Sequence, residues 1–250
     1  MTVRTGRVDV PVEALAALAE RERVGDLHIT LRPEPRWISR TARAEADKRV
    51  EAALAQAGLL DSNGRTSVEF LDWLPVLTKP AIEYYGWVNA GGQTYGVLAA
   101  SLGLQAVLAV ASGDWVGLQE IDRRRLPETL IEQLPPVPAG GGRLRTIRAY
   151  ELEEAARRGP DTHSLPPVVA DIVSLVQRPV EGSGELYAGK RDEVGRHTAV
   201  EDPLHFADTD WGRYLSYTTG RGNDTVVHIG PAGPAELADA LRHVSSTLGG

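Results

Sequence analysis

Cysteine is absent from the 250 residues, which removes disulfides, a thiolate nucleophile and any Cys-ligated metal. Long apolar runs are absent too. No stretch approaches the roughly 18 residues a membrane-spanning helix needs, and the start, MTVRTGRVDVPVEAL, lacks the uninterrupted apolar core of a signal peptide. A cytoplasmic protein without membrane insertion is expected. Positive charge is in deficit: 27 Lys and Arg against 34 Asp and Glu give a formal charge of −7. That is the wrong sign for neutralising phosphates, so nucleic acid is not an expected partner. The basic run Arg123-Arg124-Arg125 has no aromatic platform beside it and reads as solvated surface ahead of a helix.

Chemical signatures are equally sparse. The six histidines, His28, His163, His197, His205, His228 and His243, are scattered, and no pair has the i, i+4 spacing of a helical metal site. There is no G-x-S-x-G, no Walker A pattern and no G-x-G-x-x-G between a strand and a helix. Gly140, Gly141 and Gly142 precede a strand, the wrong context for a phosphate loop. Asp208 and Asp210 form a D-x-D ahead of Trp211, a pattern more often a turn than a cation site. Asn223-Asp224-Thr225 matches a glycosylation acceptor and reads as a turn. The expectation is a protein with no catalytic residues, metal or cofactor, which works by binding.

What is present is a patterned globular chain. A hydrophobic fraction of 42% over this length allows about 70% of the extended surface to be buried, so a sizeable core and a single domain over 1–250 are expected. A short strand at 8–10 precedes a helix opened by Pro11. Residues 32–37, with Pro33 and Pro35, read as extended. A helix over 41–57 places Ala46, Val50, Ala53 and Ala57 on one side and stops at Gly58, and a third helix from Ser67 carries Phe70, Leu74 and Leu77 inward as far as Pro80. Strands at 83–88, 93–100, 105–111 and 115–121 are joined by short Gly-containing connectors, which makes an antiparallel meander. A helix over 126–134 and the Pro/Gly stretch 135–142, PPVPAGGG, follow; the latter reads as a linker.

After that linker the order recurs. A strand at 144–148, helices at 150–158 and 165–176, strands at 184–190, 194–200, 212–218 and 224–229, and a helix from Pro234 repeat the first half. In the last helix Leu237, Leu241, Val244 and Leu248 draw one apolar stripe. Two similar halves, about 1–138 and 143–250, are therefore expected. The fold class is α+β, with two pseudo-symmetric halves forming a central antiparallel sheet flanked by helices.

Several segments taken in this order resemble the EspG family of ESX (type VII) secretion-associated proteins. They are Gly58-Leu59, the Leu77-Thr78-Lys79-Pro80 stop, 105–110 with Trp115-Val116-Gly117-Leu118, and the LPPVPAGGGR stretch. Arg178-Pro179 with Gly184-Glu185-Leu186-Tyr187, Asp208-Thr209, Gly212-Arg213-Tyr214-Leu215 and the helix over 234–248 complete the likeness, which spans nearly the whole length. The resemblance implies an actinobacterial cytosolic chaperone that binds the helical tip of PE/PPE-type substrates, keeps them soluble and directs them to the ESX machinery. It further implies client contact through the sheet, an early-strand loop and the C-terminal helical part. Here those become Tyr84 and Trp87, the short loop Asn89-Ala90-Gly91-Gly92-Gln93, and Asp239, Arg242 and His243. Tyr84, Tyr85 and Trp87 are read as exposed anchors, against a competing reading that puts two of the three in the core. Two rival functions stay open: a small-molecule binder using His205, Asp208 and Asp210, and a structural or scaffold protein that self-associates through an 83–88 edge; the chaperone itself is expected to form a homodimer when client-free.

Overall fold

Apolar sheet faces must be covered, and in this chain different helices pack on the two faces, on one of them only at its two ends. The computed structural model describes residues 6–33, 40–61, 63–158 and 166–248. Positions 34–37 of the expected extended segment 32–37, Leu165 and His163 lie outside these, as does the side chain of Ala46. The first half runs β1 (Val8–Pro11), α1 (Val12–Arg21), a 3₁₀ turn (Ile29–Leu31), α2 (Arg40–Gln56), α3 (Val68–Leu71), α4 (Leu74–Thr78), β2 (Ile82–Ala90), β3 (Gln93–Leu102), β4 (Gln105–Ser112), β5 (Trp115–Glu120) and α5 (Leu126–Ile131). The second runs β6 (Arg145–Arg148), α6 (Ala149–Arg158), α7 (Pro167–Val176), β7 (Val180–Arg191), β8 (His197–Ala199), β9 (Leu204–Thr209), β10 (Gly212–Thr219), β11 (Val226–Pro231) and α8 (Pro234–Ser246). Among the described residues no helix is long and apolar enough to cross a membrane.

The strands form one 11-stranded sheet in the order β1-β5-β4-β3-β2-β7-β9-β10-β11-β6, with β8 attached to β7. Read inward from either edge, the order is first strand, last strand, and back through the meander. The halves are thus related by pseudo-symmetry about the central β2–β7 pair, which is antiparallel from Ile82 opposite Lys190 to Ala90 opposite Gly182.

Three sequence readings need correction. Residues 83–88 are not an edge, because β2 is hydrogen-bonded to β3 on one side and to β7 on the other. The expected strand at 194–200 shrinks to β8, and the strand that fills its place in the sheet is β9, which composition hid. Its core-facing row is Leu204, Phe206 and Asp208, and the buried carboxylate breaks the apolar alternation. The third helix is two, α3 and α4. Pro75 near the start of α4 has no N–H to carry an unbroken ladder.

Directly opposed residues share a face. The cross-strand rows that run from Leu98 through Tyr85, and from Trp87 through Glu185, His205 and Ser216 to Ile229, define a front face. At one end of it α1, α2 and α4 bury Leu98, Ala100, Val107 and Ala109. At the other, Ile147, Val169, Ile172 and Ile229 pack together under α6 and α7. On the back face α5 and α8 cover a core drawn from both halves, with Tyr84, Val97 and Leu108 against Leu186, Leu204 and Leu215.

The Pro/Gly stretch after α5 is strapped to this sheet. Arg213 N–H donates to the Pro138 carbonyl, Gly140 N–H to the Arg213 carbonyl, and the Arg213 guanidinium to the Pro135 carbonyl. Gly140 lies so close to the Tyr214 ring that a Cβ there would collide with it.

Candidate functional site

The front face is open in the middle. Between the two helical ends, β2 contributes Tyr85, Trp87 and Asn89, β7 contributes Ser183, Glu185 and Tyr187, and β9 contributes His205. Tyr85 and Tyr187 are opposite one another and stack, with ring centroids 5.2 Å apart and planes 11° from parallel. Trp87 stands nearly perpendicular to both, 6.2 Å from Tyr85 and 6.0 Å from Tyr187. The rings therefore form a right-angled corner, in the edge-to-face and offset-stacked arrangements that aromatic quadrupoles favour. A shallow cavity of about 310 Å³ opens beside it, lined by Trp87, Asn89, Ser183, Glu185 and His205 over Gly184 and Phe206.

Neighbours tune these groups. Burial pushes the Tyr85 phenol up to about 12, helped by the nearby Glu83 carboxylate and by Tyr187. Tyr187 is raised by burial first and then by its hydrogen bond to Glu185, whose Oε2 accepts at 3.0 Å. The strip ends where His28 packs edge-on against Tyr85, 4.6 Å between centroids. Just beyond, Gly96 lets the Thr30 backbone lie against the sheet: a Cβ on Gly96 would be 2.7 Å from the Thr30 carbonyl oxygen. Beneath that boundary Glu83 is buried, with His197 Nε2 at 2.6 Å and His28 Nε2 at 3.8 Å.

The expected site residues separate into groups. Trp87 and Asn89 are on the strip. Tyr84 is not an exposed anchor: it alternates to the back face and is buried in the core beneath α5 and α8. Gln93 is already the first residue of β3, so the early-strand loop is only Gly91 and Gly92, at φ 58° and 76°. Those angles make a tight hairpin turn that presents backbone and no side chain. Asp239, Arg242 and His243 are exposed on α8, behind the sheet, and cannot form one surface with Trp87. Arg242 is held by Glu128 of α5 and by Asp239 Oδ1 at 2.9 Å.

The rival site does not assemble either. Asp208 is buried in a two-pronged pair with Arg213, at 2.6 and 2.8 Å, Asp210 holds Arg178 at 2.8 Å from the outside, and His205 faces the front strip. Among the described residues no group of three or more His, Cys, Asp or Glu is placed to hold a metal ion.

Sequence reasoning missed Tyr187 and Glu185 as site residues, although their alternation with Leu186 was visible. It also missed an exposed patch at the end of the strip nearest the Gly91-Gly92 turn. There Trp211, 54% exposed, lies under the Arg178 guanidinium, 3.8 Å from centroid to carbon. Beside it a groove of about 540 Å³ is lined by Leu175, Ile172, Tyr214 and Pro231, with Arg143 at its rim.

Comparison with known proteins adds three findings. The family described as the EspG family matches residues 11–243. In sequence the chain is similar to the ESX-1 secretion-associated protein EspG1 of Mycobacterium tuberculosis (strain ATCC 25618 / H37Rv), 23% identical over 239 residues, which is 94% of this chain and 84% of that protein. In structure it is similar to the Mycobacterium tuberculosis type VII secretion system chaperone EspG5, solved in complex with the PE25-PPE41 dimer. The TM-score is 0.70 at 16% identity, over 97% of each chain. At that identity the likeness establishes the fold.

Proposed function

The chain belongs to the EspG family over residues 11–243, and from that premise we propose that it is a cytoplasmic chaperone of PE/PPE-type type VII secretion substrates. It covers the helical tip of the PPE-type partner, keeps the pair soluble and hands it to the ESX machinery without catalysing a reaction. The observation that carries this reading is the open aromatic strip on the front face, with Tyr85, Trp87 and Tyr187 half-buried between two helical ends. An enzyme of this size needs a deep cavity with convergent polar groups, whereas shielding an apolar helical tip needs a broad rim-and-floor surface of about 800 Å² per partner. Tyr and Trp suit such a surface because they bury large area at small entropic cost.

The two relatives support this choice of client: one is a secretion-associated protein, and the other was solved as a chaperone with a PE25-PPE41 dimer bound. With the early-strand loop reduced to two glycines, client contact shifts here to the strip itself and to the neighbouring Trp211 patch. The back-face residues Asp239, Arg242 and His243 contribute little. The test is co-expression with a PE/PPE pair from the same genome, followed by size exclusion. Trp87→Ala and Trp211→Ala are expected to weaken co-elution at least tenfold in apparent affinity, in line with aromatic hot spots of about 2 kcal/mol, and Asp239→Ala to leave it intact. Absence of any complex with the unmodified chain, together with unchanged client solubility, refutes the reading. We further infer that an uncovered strip drives self-association in the client-free state, which light scattering of the free protein measures directly.

A further inference from the structure

The aromatic corner on the front face is built for a cation. Aromatic faces carry negative electrostatic potential and hold guanidinium or ammonium groups over their rings, and here two such walls meet at 85°, Trp87 against Tyr187. Glu185 lies directly across the strand pair from Trp87. Its side chain is 52% exposed, and among the described residues no Lys or Arg pairs with it. Its partners are the Tyr187 hydroxyl at 3.0 Å and His205 Nδ1 at 3.9 Å. Gly184, between Ser183 and Glu185, turns its open side to the back face, where a side chain would run into the Phe206 ring. On the Asn89 and Ser183 side of Trp87 the 310 Å³ cavity opens, with Glu185 and His205 as its other polar walls.

We propose that this corner is a receptor for one arginine side chain presented by the partner, with the guanidinium stacked on Trp87 in the adjoining cavity and forked onto the Glu185 carboxylate, which the Tyr187 hydroxyl holds in place. That the arginine belongs to a secretion client rests on the chaperone reading; the chemistry of the corner does not. Arginine suits the corner better than lysine because its planar, weakly hydrated group can stack and donate two parallel hydrogen bonds together. Charge complementarity agrees in sign, since the chain carries −7 overall and the corner adds to the contact face a carboxylate with no Lys or Arg partner among the described residues. Such a contact also fixes register: an apolar tip can slide on aromatic rings, and a single charge pair at the centre of the face removes that freedom.

The experiment is an NMR titration of the full chain with N-acetyl-arginine amide, followed at the Trp87 indole N–H, which is assigned through Trp87→Phe. Saturable shifts with a millimolar Kd are expected. Binding should be at least about fivefold weaker for N-acetyl-citrulline amide, the neutral isostere, and for Glu185→Gln with the arginine probe. Equal binding of citrulline, a Trp87 resonance that does not move, or undiminished binding by Glu185→Gln overturns the proposal. Client capture provides the second arm. If the unmodified chain captures a PE/PPE pair and Glu185→Arg captures it equally, the arginine receptor is wrong while the chaperone reading stands. If the unmodified chain captures nothing, the chaperone reading fails, and the titration alone decides the corner.

Discussion

Glu83 joins three parts of the molecule at one buried carboxylate: central strand β2, the segment before the 3₁₀ turn through His28, and β8 through His197. Burial dominates both central groups. It holds His28 down at about 4, with His197 and Arg32 adding to the effect, and it raises Glu83 against the opposing pull of His197 and Arg191. A histidine that stays neutral when folded but takes a proton below about 6.5 when unfolded favours the unfolded chain as acid is added. The His28 contribution, about 3 kcal/mol, is therefore present above pH 6.5 and lost as the pH falls towards 4. Glu83 works in the opposite direction. Its raised value adds stability that is full below about 4.5 and is lost as the pH rises through the folded value. Urea denaturation between pH 6.5 and 4 should show a stability that falls with acid in the unmodified chain and a visibly flatter profile in His28→Gln. At the same scale Tyr84 and Trp87 test the two faces of β2. Tyr84→Ala removes a buried ring and should cost about 3 kcal/mol or more, with Trp87→Ala costing less because its ring is partly exposed; denaturation midpoints of the two variants decide the order. No reading of single residues could have separated these neighbours, since both are aromatic and only strand phase assigns one to the core.

At the scale of elements, the stretch 135–142 carries the main lesson. Its Pro and Gly content is that of a linker, and nothing local says otherwise. Its partners, Arg213 and Tyr214, lie on β10, and the strap forms because Arg213 is already fixed by the buried Asp208 carboxylate. Arg213→Ala leaves that carboxylate buried without its partner, so a loss of about 3 to 5 kcal/mol is expected, read by thermal or urea unfolding. Gly140→Val should leave the sheet folded while releasing the strap, seen as new cleavage within 135–142 in limited proteolysis. Strand β9 was hidden for the same reason. Asp208 on the core-facing row looks like a turn residue until Arg213 is placed opposite it. The closing helix, by contrast, was largely legible, although it ends at Ser246, before Leu248. Pro234 near its start and the buried Leu237, Leu241 and Val244 follow from local spacing, and the structure adds Glu236 accepting from Gly233 N–H at 3.0 Å.

For the whole molecule, the β2–β7 pairing decides whether the halves can live apart. Residues 6–138 alone would expose β2, and 143–248 alone would expose β7, as long unpaired edges. The back-face core would also be cut between Tyr84, Val97 and Leu126 on one side and Leu186, Leu204 and Leu237 on the other. Each half expressed alone is expected to aggregate, and the two co-expressed to recover a soluble complex of the size of the intact chain by size exclusion. A soluble, monomeric half would show that the chain is two domains instead of one. The sequence by itself determined the composition class, most of the elements, the recurrence of strand and helix order and the family likeness, because period, turn chemistry and capping are local. Only the tertiary structure decided which strand is central, which aromatic side chains reach the open face, and that Glu185 meets Trp87 and Tyr187 there. Those facts depend on register between strands about a hundred residues apart in the chain, where shifting the pairing by one residue exchanges the faces.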